Sequence, residues 1–226
     1  MVLLTTAAFV AGFRVLAGRI RPASLARRSL PVIIVDAGHG GFDGGAVAAD
    51  GTLEKDLNLA ISKNLRDLLQ PMGFQVVMVR EEDVGTEDPN ASTTRQKKNT
   101  DLHNRLALTQ KYENSILLSI HLNKFSESQY SGAQVFYGPQ NEESKSLAAS
   151  IQASIATQLQ PQNNREIKKG TKDAYLLYHA GIPSVIVECG FLSNPDELQK
   201  LKEETYQKQM AFAVLTGLLD FLNQNG

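Results

Sequence analysis

A single cysteine, Cys189, is all the thiol chemistry this 226-residue chain holds. That excludes an internal disulfide framework and any Cys-rich structural zinc site, so a bound metal must rely on histidine and carboxylate ligands. Charge of one sign is also missing. The 23 Lys and Arg residues nearly balance the 24 Asp and Glu residues, so there is no basic field of the kind that draws a protein onto nucleic acid. Internal repeats and low-complexity wall-binding modules are absent. The N-terminal apolar stretch, Met1 to Phe13, is shorter than the roughly 20 residues needed to span a bilayer.

That stretch has the character of a signal h-region or a clipped membrane anchor. Arg14, Arg19, Arg21, Arg27 and Arg28 follow it and no basic residue precedes it, the reverse of the positive-inside pattern for an exported C-terminal domain. A short basic leader upstream would restore the pattern; a helix packed on the domain is the alternative. Residues 1–30 are therefore expected to be a signal or anchor segment with its linker, and residues 31–226 the working domain, acting outside the cytoplasm.

With 42% hydrophobic residues, the remainder can bury one sizeable core. Apolar runs alternate with helical stripes. Pro31 to Asp36 is a continuous apolar run closing on a Gly-rich turn, the pattern of a strand buried on both faces. Leu53, Leu57, Ile61, Leu65 and Leu68 stripe a helix that Gln70-Pro71 and Gly73 end. Phe74 to Val79, Ile116 to Ile120, Ala133 to Tyr137 and Ser184 to Val187 are expected strands. Leu102 to Thr109, Leu147 to Leu159 and Met210 to Leu218 are expected helices. Asp83 to Thr100 is expected to be a long loop, either a lid or a mobile insertion. This order predicts a three-layer αβα fold around a mostly parallel, roughly six-stranded sheet.

Four residues in four motifs carry the chemistry: His39 in Asp36-Ala37-Gly38-His39-Gly40-Gly41, Glu54 in Leu53-Glu54-Lys55-Asp56, His121 in Ser119-Ile120-His121-Leu122-Asn123, and Glu188 in Val187-Glu188-Cys189-Gly190-Phe191. Three are expected just beyond the carboxyl ends of strands, where functional groups of open α/β sheets gather. Glu54 opens the first helix and can point back across the same edge. Two imidazoles and one carboxylate can hold a catalytic Zn2+ with a position left open. The second carboxylate, Glu188, is then the general base that takes a proton from water and returns it to a departing amine. Asp36 and Asp43 are candidate acceptors for the outer N–H of a ligand imidazole.

Each residue also has a structural alternative. A lone histidine after a strand is commonly a hydrogen-bonding group, and Glu54 is favoured at a helix N-terminus by the dipole alone. Glu188, directly after Val185-Ile186-Val187, should be at least partly buried, which is costly without a charged neighbour. His103, His179 and Cys189 take the structural reading. Arg105 can hold a substrate carboxylate or sit in a structural ion pair, and Lys97, Lys98, Lys168 and Lys169 can meet a glycan or simply be solvated.

In order and together, the four motifs resemble the zinc-dependent N-acetylmuramoyl-L-alanine amidases of the Amidase_3 family, over about residues 32 to 222. The resemblance implies His39, Glu54 and His121 as zinc ligands and Glu188 as the catalytic glutamate. The implied reaction is hydrolysis of the amide between the lactyl group of N-acetylmuramic acid and L-alanine of the peptidoglycan stem peptide. Gly44-Gly45-Ala46-Val47, Ser92 to Lys98 and Ser131 to Tyr137 are most similar to the germination-specific CwlD type of spore-forming bacteria, which implies action on cortex leading to muramic-δ-lactam. Arg105 and Asn123 are the expected substrate contacts, with a peptidoglycan glycan strand and stem peptide as partners and an activating or targeting protein as a further one. Ala37 departs from the family's usual proline. A zinc peptidase cutting within the stem and a non-catalytic peptidoglycan-binding module are the rival readings.

Overall fold

The computed structural model describes residues 30–224; the expectations for the N-terminal segment fall on residues 1–29 and lie outside them. Among the described residues, no helix is long and apolar enough to cross a membrane.

Strand β1 (Val32–Ala37) is buried almost throughout, as a continuous β-branched run in a covered parallel sheet should be. Helix α1 (Glu54–Leu69) turns Leu57, Ile61, Leu65 and Leu69 inward. It ends where the sequence placed its stop: Gln70–Met72 tightens into a 3-10 turn and Gly73 takes φ 90°, a left-handed conformation that glycine adopts without steric cost. Then follow β2 (Val76–Met78), α2 (Thr94–Thr109), β3 (Ser115–Asn123), β4 (Gln134–Tyr137), α3 (Glu143–Gln158), β5 (Lys168–Lys169), α4 (Tyr175–His179), β6 (Ser184–Phe191), α5 (Pro195–Lys202) and α6 (Glu204–Gln224).

The sheet order is β2-β1-β3-β6-β4-β5. The first four strands run parallel, and β4 lies antiparallel to β6 with β5 parallel to β4. Helices α1, α3 and α6 cover one face and form the larger core with Ile33, Val35, Ile120, Val135, Val185 and Val187. Gly217 lets α6 lie against α3, since a Cβ there would stand 2.5 Å from Ile151 Cα. The opposite face carries a smaller cluster of Ile34, Leu117, Leu176 and Ala180, with Leu106 from α2 packed on it. The expected three-layer α/β fold is therefore present, with unequal layers.

Three expectations change. The long loop expected over Asp83 to Thr100 is shorter, because α2 starts at Thr94: the Thr93 side chain accepts from the Gln96 backbone N–H while the Gln96 side chain accepts from the Thr93 N–H. This capping box offsets a polar first turn that has no apolar stripe to reveal it. His121 and Glu188 lie inside β3 and β6, not beyond them, because the two strands stay paired through His121↔Glu188 before a bulge shifts the register. Short β5, α4 and α5 have no counterpart among the expected elements, and His179 closes α4.

Candidate active site

The turn after β1 places His39 through a left-handed backbone among glycines. His39 has φ 62°, the one non-glycine residue in the left-handed region among the described residues, between Gly38 and the positive-φ Gly40 and Gly41. Such a conformation persists where the surroundings over-determine it. Here Arg105 Nη2 donates to the His39 carbonyl at 2.7 Å, and Arg80 Nη2 and Asn58 Nδ2 donate to the Gly38 carbonyl at 3.1 and 3.2 Å. Gly38 is also required sterically, since a Cβ there would fall 2.3 Å from His121 Nε2.

Glu54, the first residue of α1, is buried and held on both oxygens. Oε2 accepts from Ala46 N at 2.8 Å; Oε1 accepts from Leu122 N at 3.1 Å and Asn58 Nδ2 at 3.3 Å. Its oxygens face the two histidines, with His39 Nε2 3.3 Å from Oε2 and His121 Nδ1 3.0 Å from Oε1. The imidazole rings meet edge to face at 5.0 Å. One ligand atom from each of His39, Glu54 and His121 lies within 4.8 Å of the others, an arrangement able to hold a metal ion.

The electrostatics fit a cation. Burial opposes charge on the His39 ring, yet hydrogen bonds with Asp43 and Glu54 outweigh it and raise its pKa to about 9. Burial likewise opposes charge on Glu54, but the two histidines hold it well below the usual carboxylate range. The carboxylates thus stabilise a positive charge between them, and two imidazoles with one carboxylate is a common donor set of catalytic zinc. Asp43 Oδ2 lies 3.0 Å from His39 Nδ1 and orients the ring. Lys98 Nζ stands 3.4 Å from the same oxygen.

Glu188 is the cross-strand neighbour of His121 on one side and of Gln134 on the other. Its Oε2 is buried with no hydrogen-bond partner. Burial pushes the carboxyl up to about 7, with His121 and His39 opposing the rise and Glu54 adding to it. A carboxylate in that range is poised to take and return a proton near neutral pH.

Of the other expected residues, Arg105 is not placed to meet a substrate. It is 3% exposed, and its guanidinium is spent on Asp36, Asp101 and the carbonyls of Ala37 and His39, so the ion-pair alternative describes it. Asp36, in turn, does not reach an imidazole; it accepts from Arg105 and from Ser119 Oγ at 2.6 Å. Asn123 ends β3, half-buried, with Oδ1 accepting from Lys124 N at 2.9 Å. His103 bonds Asn99 O at 2.6 Å and Cys189 is fully buried, both structural. Asn58 and Arg80 escaped the sequence reading. Asn58 lies one helical turn after Glu54, the spacing that could have revealed it; Arg80 had no motif around it.

The sequence pattern of N-acetylmuramoyl-L-alanine amidases matches residues 33–220. The chain belongs to the N-acetylmuramoyl-L-alanine amidase family. Within it, the germination-specific amidase of Bacillus subtilis is 35% identical over 195 residues, covering 86% of this chain and 81% of that one. The CwlD amidase from Clostridioides difficile, solved in complex with the GerS lipoprotein, superposes with a TM-score of 0.82 at 44% identity, covering 86% of this chain and 99% of that one. Another amidase of Clostridium difficile 630 gives 0.74 at 30% identity, with coverage of 87% and 99%. The family assignment makes amide hydrolysis in peptidoglycan the chemistry to derive from this site.

Proposed function

We propose that the chain hydrolyses the amide between the lactyl group of N-acetylmuramic acid and L-alanine, with His39, Glu54 and His121 holding Zn2+ and Glu188 moving the proton. The observation that supports it most is the convergence of three ligand atoms within 4.8 Å beside a buried, unpartnered carboxylate oxygen of Glu188. When bound, zinc supplies a Lewis acid that polarises the scissile carbonyl and lowers the pKa of water to roughly 7. Asp43 holds the His39 ring through Nδ1, which leaves Nε2 facing Glu54. Glu188 takes a proton from the attacking water as its oxygen bonds to the lactyl carbonyl carbon. The same carboxyl then gives that proton to the alanine nitrogen as the C–N bond breaks, leaving a lactyl carboxylate and a free L-alanine amine.

The physiological substrate in this proposal is cortex peptidoglycan, processed toward muramic-δ-lactam, as the named activity of the germination-specific relative suggests. Residues 31–226 form the catalytic domain, residues 1–30 serve as signal or anchor, and the protein acts outside the cytoplasm. Asn123 contacts substrate, and a protein partner assists, by analogy with the lipoprotein complex of the CwlD amidase.

The test is digestion of purified cortex and vegetative peptidoglycan, with and without chelator, followed by mass analysis. Intact stem peptides with free L-alanine N-termini, formed only without chelator, are expected. Cleavage within the stem would make the chain a peptidase instead.

A further inference from the structure

Beyond Glu188 the sheet carries an aromatic corner that the hydrolytic step does not use. Phe191 lies three residues further along β6 but pairs with Asn123 of β3, two residues past His121, so the bulge leaves it roughly 7 Å further along the sheet at strand rise. Since His121 pairs with Glu188 and lies two residues before Asn123, all four side chains belong to one face of the sheet. Phe125 and Tyr130, in the segment between β3 and β4, stand against Phe191 with ring centroids 5.1 and 6.4 Å away. Phe125 meets Tyr130 nearly at right angles, 5.2 Å apart. Phe191 is buried by this packing, whereas Phe125 is 44% and Tyr130 40% exposed.

The corner is braced from several sides. Arg165 lies over the Phe191 ring at 4.6 Å and donates to Ser131 O at 2.7 Å and to Gln134 Oε1, on the cross-strand neighbour of Glu188. Glu197 accepts from Phe191 N and Gly132 N, and Ser193 Oγ accepts from Phe125 N. Two large rings held rigid yet left open to water incur a hydration cost that a ligand covering them would remove.

Resting on the amidase reading above, we propose that the exposed rings of Phe125 and Tyr130 form a saccharide subsite that carries the glycan strand past the catalytic centre. The substrate of that reading offers two chemistries. The stem begins at L-alanine, whose single methyl cannot cover two rings. The glycan offers hexopyranose rings, whose axial C–H faces stack on aromatic faces, and it continues from the very sugar whose lactyl group is cut.

Titration of the intact protein with peptide-free chains of alternating N-acetylglucosamine and N-acetylmuramic acid tests this without turnover. The double variant Phe125→Ala, Tyr130→Ala is expected to bind the glycan about tenfold more weakly and to show a raised KM on cortex fragments. Phe125→Tyr should keep wild-type affinity, and an unchanged melting temperature in the double variant shows that the fold is intact. A sugar-free stem peptide is the second probe, expected to bind wild type and double variant alike. No glycan binding by the wild type, equal glycan binding by both proteins, or loss of stem-peptide binding instead would overturn the proposal. Because the titration needs no catalysis, failure of the amidase reading would appear separately, as absent product.

Discussion

Arg105 donates through Nη2 to the carbonyl of His39 at 2.7 Å, so a buried arginine from α2 holds the backbone of a candidate metal ligand from the β1 turn. The same guanidinium pairs with Asp36 and Asp101. Arg105→Met leaves Asp36 buried and uncompensated, and a stability loss of about 3–5 kcal/mol is expected in urea denaturation. Arg105→Lys keeps the charge but loses the planar fork. It should unfold less readily than Arg105→Met while still binding zinc more weakly than wild type in a competition titration.

Glu188→Gln is expected to abolish turnover by at least about 100-fold, the contribution of a positioned acid–base group, with metal content unchanged by elemental analysis. His39→Ala and His121→Ala should lose metal and activity together. A metal-free Glu188→Gln protein would overturn this division of roles.

Gly38→Ala is a methyl-sized test of the site. The added Cβ would meet His121 Cε1 at 2.2 Å and Nε2 at 2.3 Å, so the ring must move. Loss of metal affinity is expected at little cost to the fold, read as reduced zinc content beside a near-native far-UV spectrum.

Acid should weaken the same architecture through Asp36. Burial raises its pKa, but Arg105, His121 and Ser119 outweigh that and hold it below 3.8 in the folded chain. The unfolded chain therefore binds this proton first as pH falls, and the stability from Asp36 is present above the unfolded value of about 4 and is lost progressively as pH falls through the lower folded value. Asp36→Asn should flatten the acid limb of a stability-against-pH curve while lowering the plateau.

His39, His121 and Glu188 were legible because each follows a short apolar run or sits among glycines, and Glu54 because it opens a striped helix. Strand pairing then put His121 beside Glu188 without any signal in their spacing. The roles of Asp36 and Arg105 were not legible, because an ion pair 69 residues apart leaves no local pattern. The start of α2 hides for the opposite reason: its signal, Thr93 and Gln96, is local but polar, and no apolar stripe marks the first turn. The platform of Phe125, Tyr130 and Phe191 needed the bulge after His121, which only the fold reveals.

Strand β4 runs against β6, so the chain leaves β3 and enters β4 at the same edge of the sheet, the one that carries Glu188. The ten residues between Asn123 and Gln134 never have to cross to the far edge, as a parallel connection would require. The middle of that segment, residues 126–130, lies at the surface, while Ala133 at its end is anchored in the core. A chimera that exchanges those surface residues leaves His39, Glu54, His121 and Glu188 in place, since none of the four lies in the segment.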